Sequence, residues 1–485
     1  NTFSMKLLWS CGAVGSARRP VKAEVAGAHP VSSAKLKFCT AVCGRVAQLV
    51  ERPPEKRKVP GSIPGPTTIF YNICKVITLY SKQNDHMQLN ETASQQALRD
   101  ELRKYFAGIM TEETRESLRN TDQSSEIRKK IFLQLGADGM LGLGWPVEYG
   151  GGGRPPSDQF ILFDEAQRAN CPMPFVTLNT VGPTIIEFGT EEQKHKYLPG
   201  ILNGEIIFAC GYSEPSAGTD LASLRTKAVR DGDEWVINGG KIYTSGANEA
   251  DYVWLACRTD PEAKKHRGIS LIIVPTDSEG FSWTPINTVG GVPTTSTYYD
   301  NVRVPAENLL GEINSGWQLI TTQLNHERVG LAATSALAFR LYEETLTWST
   351  QNESSDGGLI IDQPWVQLDF ARCYAELEAL KLMNWRMTID VEKGRLTPDR
   401  SSAVKVYGTE AAVRIYERLL GIIGIEGRIK GGQSGTVLFG DLERAGRAAQ
   451  INTFGGGVNE VMREIVSWLG LGMTRASRQT ESKKS

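Results

Sequence analysis

Two loops carry the residue types best suited to chemistry. The first reads Tyr212-Ser213-Glu214-Pro215-Ser216-Ala217-Gly218-Thr219-Asp220 and follows the short apolar run Phe208-Ala209-Cys210-Gly211. The second reads Gly240-Lys241-Ile242-Tyr243-Thr244-Ser245-Gly246 and is followed by the apolar run from Tyr252 to Cys257. Both set hydroxyls, glycine and backbone N–H groups at the end of a β-like segment. Loops of that kind on a sheet scaffold suit a polar planar ligand, held by its edge while an apolar wall covers its face. Further along, Trp317, Ile320, Leu324, Leu331 and Ser335 trace one helical stripe at spacings of three and four, and Glu327 falls on it. A carboxylate in an apolar stripe is costly to bury unless paired, so Glu327 either reaches solvent or a neighbouring helix at the stripe edge, or has work to do there. His326, about 100° away around the helix, faces another side and reads as a surface or packing residue.

The elements that must position these groups fall into three blocks. Between the two loops Trp235 and Ile237 alternate with polar neighbours, and Asp231-Gly232 and Asn238-Gly239 both read as hairpin-turn dipeptides. With later strands over 268–274 and 281–286, this predicts a small antiparallel β domain over 206–305 with a ligand at one rim. Before it the spacing is helical: Ala97-Leu98, Leu102, Tyr105-Phe106 and Ile109 share a face, with Thr92 or Ser94 as N-cap. A second helix runs through Ile127, Ile131 and Leu135 to Gly136, and Thr190 caps a third whose first turn is acidic. Residues 87–205 thus read as an N-terminal α-helical domain. After Gly316 the pattern is helical again, interrupted by glycine at 421–435 and 455–457 and by a polar loop at 351–358. Long helices over 365–391 and 398–420 are apolar on more than one face, as in a helical bundle that docks on other subunits. The fold class expected is α+β multi-domain, with residues 306–475 a C-terminal domain like a four-helix bundle and 476–485 a disordered tail.

Composition removes several classes of function. Lysine and arginine (54) balance aspartate and glutamate (55), so no bulk charge favours nucleic acid or a membrane surface. No apolar run reaches the roughly 20 residues of a membrane span. The eight cysteines are scattered, and Cys39 and Cys43 have no histidine at zinc-ligand spacing, so no metal is expected and the thiols read as reduced and packed. Residues 1–86 differ from the rest, with Pro, Gly, Arg and Lys crowded together and no periodicity. One reading is an organellar transit peptide, which would send the protein to the mitochondrial matrix. The favoured one is a spurious extension that resembles translated non-coding DNA, with a natural start at Met87, disorder before it and a cytoplasmic protein after it.

The run Tyr212 to Asp220 resembles the first signature of the acyl-CoA dehydrogenases, and Gly239-Gly240-Lys241-Ile242-Tyr243-Thr244-Ser245 resembles their flavin-contacting strand. Gly144-Trp145-Pro146-Val147-Glu148-Tyr149-Gly150-Gly151 and Ile186-Glu187-Phe188-Gly189-Thr190-Glu191-Glu192-Gln193-Lys194 are similar to two further family segments. The resemblance covers nearly all of 87–475. It implies an FAD enzyme of lipid metabolism, as in fatty acid β-oxidation. Such an enzyme dehydrogenates an acyl-CoA to the 2-enoyl-CoA and passes electrons to an electron-transfer flavoprotein. The assembly implied is a homodimer or homotetramer, or a heterotetramer with a paralogue. By the same resemblance Tyr212 and Ser213 correspond to residues on the flavin pyrimidine edge. Ser245 corresponds to a hydroxyl near N5 and Tyr243 to an aromatic over the ring. Thr219 matches a hydroxyl near the cofactor and CoA phosphates, and Arg328 an arginine kept near the substrate.

Two departures from the family matter. Many members carry their base in a C-terminal loop written roughly Tyr-Glu-Gly-Thr, whereas here the loop is Phe454-Gly455-Gly456-Gly457-Val458-Asn459-Glu460. Gly456 takes no proton, but its backbone N–H suits polarisation of the thioester oxygen. The base is then expected at Glu327, because Leu324-Asn325-His326-Glu327-Arg328 resembles the helix that carries it in the isovaleryl and long-chain branches. The second departure is Ile361-Asp362-Gln363-Pro364-Trp365, which lacks the arginine that touches a partner subunit's FAD. Two alternatives stay open: a flavin oxidase or monooxygenase on the same fold, and a non-catalytic subunit of a hetero-oligomer.

Overall fold

The computed structural model describes residues 91–119, 124–291, 293–323, 335–355 and 357–474. The expectations for 1–86, 476–485, Glu327 and Arg328 lie outside the described residues.

The first block holds helices α1 (Ala93–Ile109), α2 (Glu112–Arg119), α3 (Ser124–Ala137), α4 (Pro156–Arg168), α5 (Gly182–Phe188) and α6 (Glu191–Leu202). Of the two candidate caps Thr92 is the one used. Its hydroxyl accepts the Gln95 N–H at 3.2 Å, and Gln95 Oε1 accepts the Thr92 N–H at 2.9 Å. Thr190 and Gln193 repeat that capping box on α6, with Glu191 and Glu192 in the first turn where the helix dipole favours them. The stripe Leu98, Leu102 and Phe106 of α1 is buried, as are Phe160 to Phe163 of α4, in one core.

The middle block is an eight-stranded sheet of β1 (Phe208–Gly211), β2 (Lys227–Asp231), β3 (Glu234–Ile242), β4 (Tyr252–Arg258), β5 (Ile269–Pro275), β6 (Phe281–Ile286), β7 (Thr294–Pro305) and β8 (Leu309–Leu310). The order is β6-β7-β3-β2-β4-β5-β8, with β1 beside β4. Most pairs are antiparallel as expected, and two parallel contacts, β1 with β4 and β2 with β4, make the sheet mixed. Strands β4 and β5 are buried along almost their whole length, which explains their unbroken apolar runs.

The Asp231-Gly232 turn forms as expected, with Asp231 paired to Glu234 across it and Gly232 at φ 60°. Asn238-Gly239 does not turn, and that expectation is corrected. The dipeptide lies inside β3, where the register against β7 slips between Ile237 and Gly239. Asn238 is stitched across to β7: its Nδ2 donates to Asn301 Oδ1 at 3.1 Å, and its Oδ1 accepts the Asn301 N–H at 3.0 Å. Gly239 sits at φ 146°, where an added Cβ would come within 2.6 Å of Thr226 Oγ1. The glycine therefore serves a β-bulge, and a bulge redirects the strand beyond it.

The third block opens with a helix over 316–323 (α7). It continues with α8 (Ser335–Ser349), α9 (Pro364–Glu392), α10 (Pro398–Ile423), α11 (Asp441–Ala448) and α12 (Asn459–Ile465). Leu341, Phe370, Leu377, Ile415, Leu419 and Leu442 form a core shared by α8 to α11, the bundle that the spacing predicts. Gly424 ends α10 at φ 84°, a helix-terminating role. Cys171, Cys257 and Cys373 are buried free thiols, and burial pushes the Cys257 thiol up to about 12. Among the described residues no cluster of His, Cys, Asp and Glu could hold a metal ion, and no helix is long and apolar enough to cross a membrane.

Candidate active site

The two loops singled out in the sequence meet at one rim of the sheet. The first leaves β1 and the second leaves β3 past the bulge, and the Ile242 N–H donates to the Ser213 carbonyl at 2.9 Å, joining them edge to edge. The second loop is also tied to the start of β7. The Thr244 N–H donates to the Thr295 carbonyl at 2.9 Å, and the Thr295 hydroxyl donates back to the Thr244 carbonyl at 2.5 Å. Ser245 Oγ lies 2.8 Å from Thr294 Oγ1. The first loop doubles back through paired backbone bonds between Glu214 and Ala217, leaving Ser216 and Thr219 exposed.

Tyr243 is the strained residue of the rim. It is 62% exposed with φ 62°, the left-handed region that an aromatic residue rarely occupies. Such a backbone costs on the order of 1–3 kcal/mol and persists where surrounding structure enforces it, commonly at ligand sites. Here the Ile242, Thr244 and Thr295 hydrogen bonds on either side hold it, and the ring is left facing solvent beside the hydroxyls.

Tyr212 at the start of the first loop has its side chain engaged within the protein. Its hydroxyl accepts from Trp254 Nε1 at 3.1 Å and donates to the side-chain carbonyl of Gln323. A half-buried phenol must find partners, and these two take up its hydroxyl. Gln323 is buried on α7, four residues before Glu327 in sequence, so this bond braces α7 against the rim.

A buried ion pair underlies the first loop, and sequence reasoning missed it. Lys241 on β3, with a fully buried side chain, donates from Nζ to Glu214 Oε1 at 2.8 Å and to the Tyr212 carbonyl at 3.0 Å. Glu214 also accepts the N–H groups of Arg225 at 2.7 Å and Thr226 at 2.8 Å. Burial pushes the Glu214 carboxyl up, but the Lys241 charge and hydrogen bond together with these N–H donors outweigh it, and it sits below the usual carboxylate range. Arg258 fixes the far side of the same loop by donating to the Ala222 carbonyl at 2.7 Å. No local signal marks the pair, because Glu214 and Lys241 lie on separate elements 27 residues apart.

Gly456 lies in the loop before α12, exposed at φ 65° and anchored to α10 through Lys405. The structure therefore brings Tyr212, Ser213, Tyr243 and Ser245 to one rim, with Thr219 exposed further along the first loop, Gly456 anchored separately, and Glu327 and Arg328 outside the described residues.

Three family models match the chain in succession: Acyl-CoA dehydrogenase, N-terminal domain, over 92–205; middle domain, over 209–302; and C-terminal domain, over 314–468. The chain belongs to the acyl-CoA dehydrogenase family. Acyl-CoA dehydrogenase FadE26 of Mycobacterium tuberculosis (strain ATCC 25618 / H37Rv) is 48% identical over 401 residues, covering 81% of this chain and 100% of the relative. FadE29 of the same strain is 43% identical over 397 residues, with the same coverage of both chains. Among solved structures, the Tcur3481-Tcur3483 steroid ACAD is similar at 57% identity and a TM-score of 0.77, covering 80% of this chain and 100% of that chain. The ChsE4-ChsE5 complex from Mycobacterium tuberculosis is similar at 49% identity and a TM-score of 0.76, again with 80% and 100% covered. This acyl-CoA dehydrogenase is an oxidoreductase of a flavin-dependent family, and its helical, β and helical blocks are the family's architecture.

Proposed function

We propose that this acyl-CoA dehydrogenase binds FAD at the rim of its sheet and removes the α-proton and β-hydride of a bulky CoA thioester, with Glu327 as base. The observation that carries the reading is the Ile242–Ser213 hydrogen bond, which sets two hydroxyl-bearing loops side by side with an exposed aromatic ring next to them. Those residues fit a flavin: hydroxyls suit its polar edge and Tyr243 suits its face. FAD, when bound, supplies the acceptor for the hydride that leaves Cβ. Ser213 and Ser245 hold the cofactor's polar edge, aided by the Tyr212 backbone, and Thr219 serves the cofactor and CoA phosphates. The Gly456 N–H polarises the thioester oxygen, Glu327 takes the α-proton, and Arg328 helps place the substrate. Electrons then pass to an electron-transfer flavoprotein. Removal of the Ser245 hydroxyl in Ser245→Ala should weaken FAD binding roughly fivefold to tenfold, the value of about one hydrogen bond, with the fold kept and the melting temperature lowered only by the lost bond to Thr294. A flavin fluorescence titration measures it, and an unchanged affinity would take Ser245 out of the site.

The substrate and the assembly are read from the relatives. One similar structure bears the description steroid ACAD, and both it and the ChsE4-ChsE5 complex are named for two components. This supports a steroid-type thioester over a linear fatty acyl-CoA, and a heteromer with a paralogue over a homotetramer. On α9 the apolar residues Trp365, Leu368, Tyr374 and Leu382 are each 43–50% exposed, surface of the kind that a partner subunit covers. The bacterial relatives favour the cytoplasm over the mitochondrial alternative. Turnover against a panel of CoA thioesters, with and without the paralogue, tests both points. The expected result is a higher kcat/KM for ring-bearing thioesters and flavin-loaded protein sedimenting as a mixed oligomer. Best turnover on a linear chain, or a fully active flavin-loaded monomer, would contradict them. Gly456 also favours a second reading, a non-catalytic subunit, for which no acyl-CoA would reduce flavin bound to this chain.

A further inference from the structure

We infer that Lys405 is a positioning residue that clamps the glycine loop and thereby fixes the direction of the Gly456 N–H. This rests on the reading above, in which that N–H polarises the thioester. Lys405 lies on α10 and is 8% exposed. Its ammonium has three protons to donate, and it meets two carbonyls of the glycine loop and the side chain of the first residue of α12. Nζ lies 3.1 Å from the Thr453 carbonyl, 2.6 Å from the Gly457 carbonyl and 2.7 Å from Asn459 Oδ1. The grip thus closes on both sides of Gly455-Gly456-Gly457.

The loop's own backbone bonds lie on its first half, where the Phe454 and Gly455 N–H groups donate to the Ile451 carbonyl at 3.2 and 2.8 Å. Its three glycines are exposed, and Gly456 and Gly457 sit at φ 65° and 102°. Glycine has more backbone freedom than any other residue, so an untethered run of three samples many conformations. A backbone donor stabilises developing charge only when it is aimed before the reaction. The α10 face that provides the clamp is continuous. Thr409, one turn after Lys405, accepts from Asn459 Nδ2 at 3.1 Å, and Glu410 Oε1 accepts from the same Nδ2 at 3.0 Å. Glu410 is itself held by Arg463 of α12 at 2.6 Å. A methionine would fill the same space without the cost of burying an ammonium, so the charge is explained by the carbonyls it holds.

Lys405→Met and Lys405→Arg in the full chain, loaded with FAD and mixed with its paralogue, test the clamp. Hydrogen exchange on the chain alone is the first readout. In Lys405→Met the amides of 453–458 should exchange roughly tenfold faster or more, while those of α10 keep their protection. Turnover is the second: kcat should fall about a hundredfold, the usual effect of losing an oxyanion donor, with KM shifted by less than about threefold. Lys405→Arg keeps a cation and should recover part of both. If Lys405→Met does not fold, Asn459→Ala removes one acceptor and should show the same faster exchange to a smaller degree. Unchanged exchange in Lys405→Met, or a loosened loop with unchanged kcat, would overturn the proposal. A wild-type protein that turns over no acyl-CoA defeats the Gly456 reading by itself, and the exchange result still decides the clamp.

Discussion

Glu327→Gln should slow flavin reduction by acyl-CoA by about two to four orders of magnitude, the usual cost of losing a general base, while FAD stays bound. Glutamine keeps the size of the side chain and some of its hydrogen bonding but cannot accept the α-proton. The flavin contacts proposed here lie around Ser213 and Ser245 on the sheet, so cofactor binding and melting temperature should survive. Acyl-CoA should still bind and perturb the flavin spectrum, with reduction stalled. The sequence motif and the apolar stripe point to Glu327 independently, and Gly456 removes the usual rival from the C-terminal loop. Gln323, four residues earlier and the last described residue of α7, is braced against the rim by Tyr212. Near-normal reduction in Glu327→Gln would move the role to another carboxylate. Glu460, exposed on α12 beside the glycine loop, would be the first to examine.

Breaking the buried pair should have the largest effect on stability. Glu214→Ala leaves the Lys241 ammonium fully buried without its carboxylate, and removing one partner of such a pair typically costs about 3–5 kcal/mol. It also releases the Arg225 and Thr226 N–H groups, loosening the loop that carries Ser213 and Thr219. Chemical denaturation should show the loss, and FAD affinity should fall with it. A loss under about 1 kcal/mol would mean that water or a shifted loop replaces the carboxylate.

The same pair predicts a pH dependence. The folded Glu214 carboxyl sits below its unfolded value, so its contribution is complete above the ordinary carboxylate range and is lost as pH falls through the lowered folded value. The stability gap between wild type and Glu214→Gln should therefore be largest near neutrality and shrink below about pH 4. A gap independent of pH would contradict that account.

What could be read in the sequence follows from how far apart the interacting residues lie. Thr92 with Gln95, Thr190 with Gln193, and Asp231-Gly232 are decided within a few residues, and local chemistry predicts them. The helical stripe of α1 and the many-sided apolar pattern of α9 and α10 are similarly local in period. Asn238-Gly239 reads as a turn for the same local reasons. It becomes a bulge because Thr226 crowds Gly239 and Asn301, 63 residues away, holds Asn238. The supports of the site were hidden for that cause too. Glu214 meets Lys241 across two elements, Tyr212 meets Gln323 over 111 residues, and Lys405 reaches a loop about 50 residues on. The rim residues themselves carried a motif, whereas the groups that hold them in place carry none.

Anaerobic mixing of the FAD-loaded protein with acyl-CoA, with and without the proposed partner subunit and followed by flavin absorbance, is the most direct test of the proposed activity. The expected result is bleaching of the oxidised flavin band that is reversed by an electron-transfer flavoprotein and only slowly by air. Rapid recovery in air would make the chain an oxidase. A flavin that stays oxidised with every thioester, steroid-type ones included, would contradict catalysis by this chain.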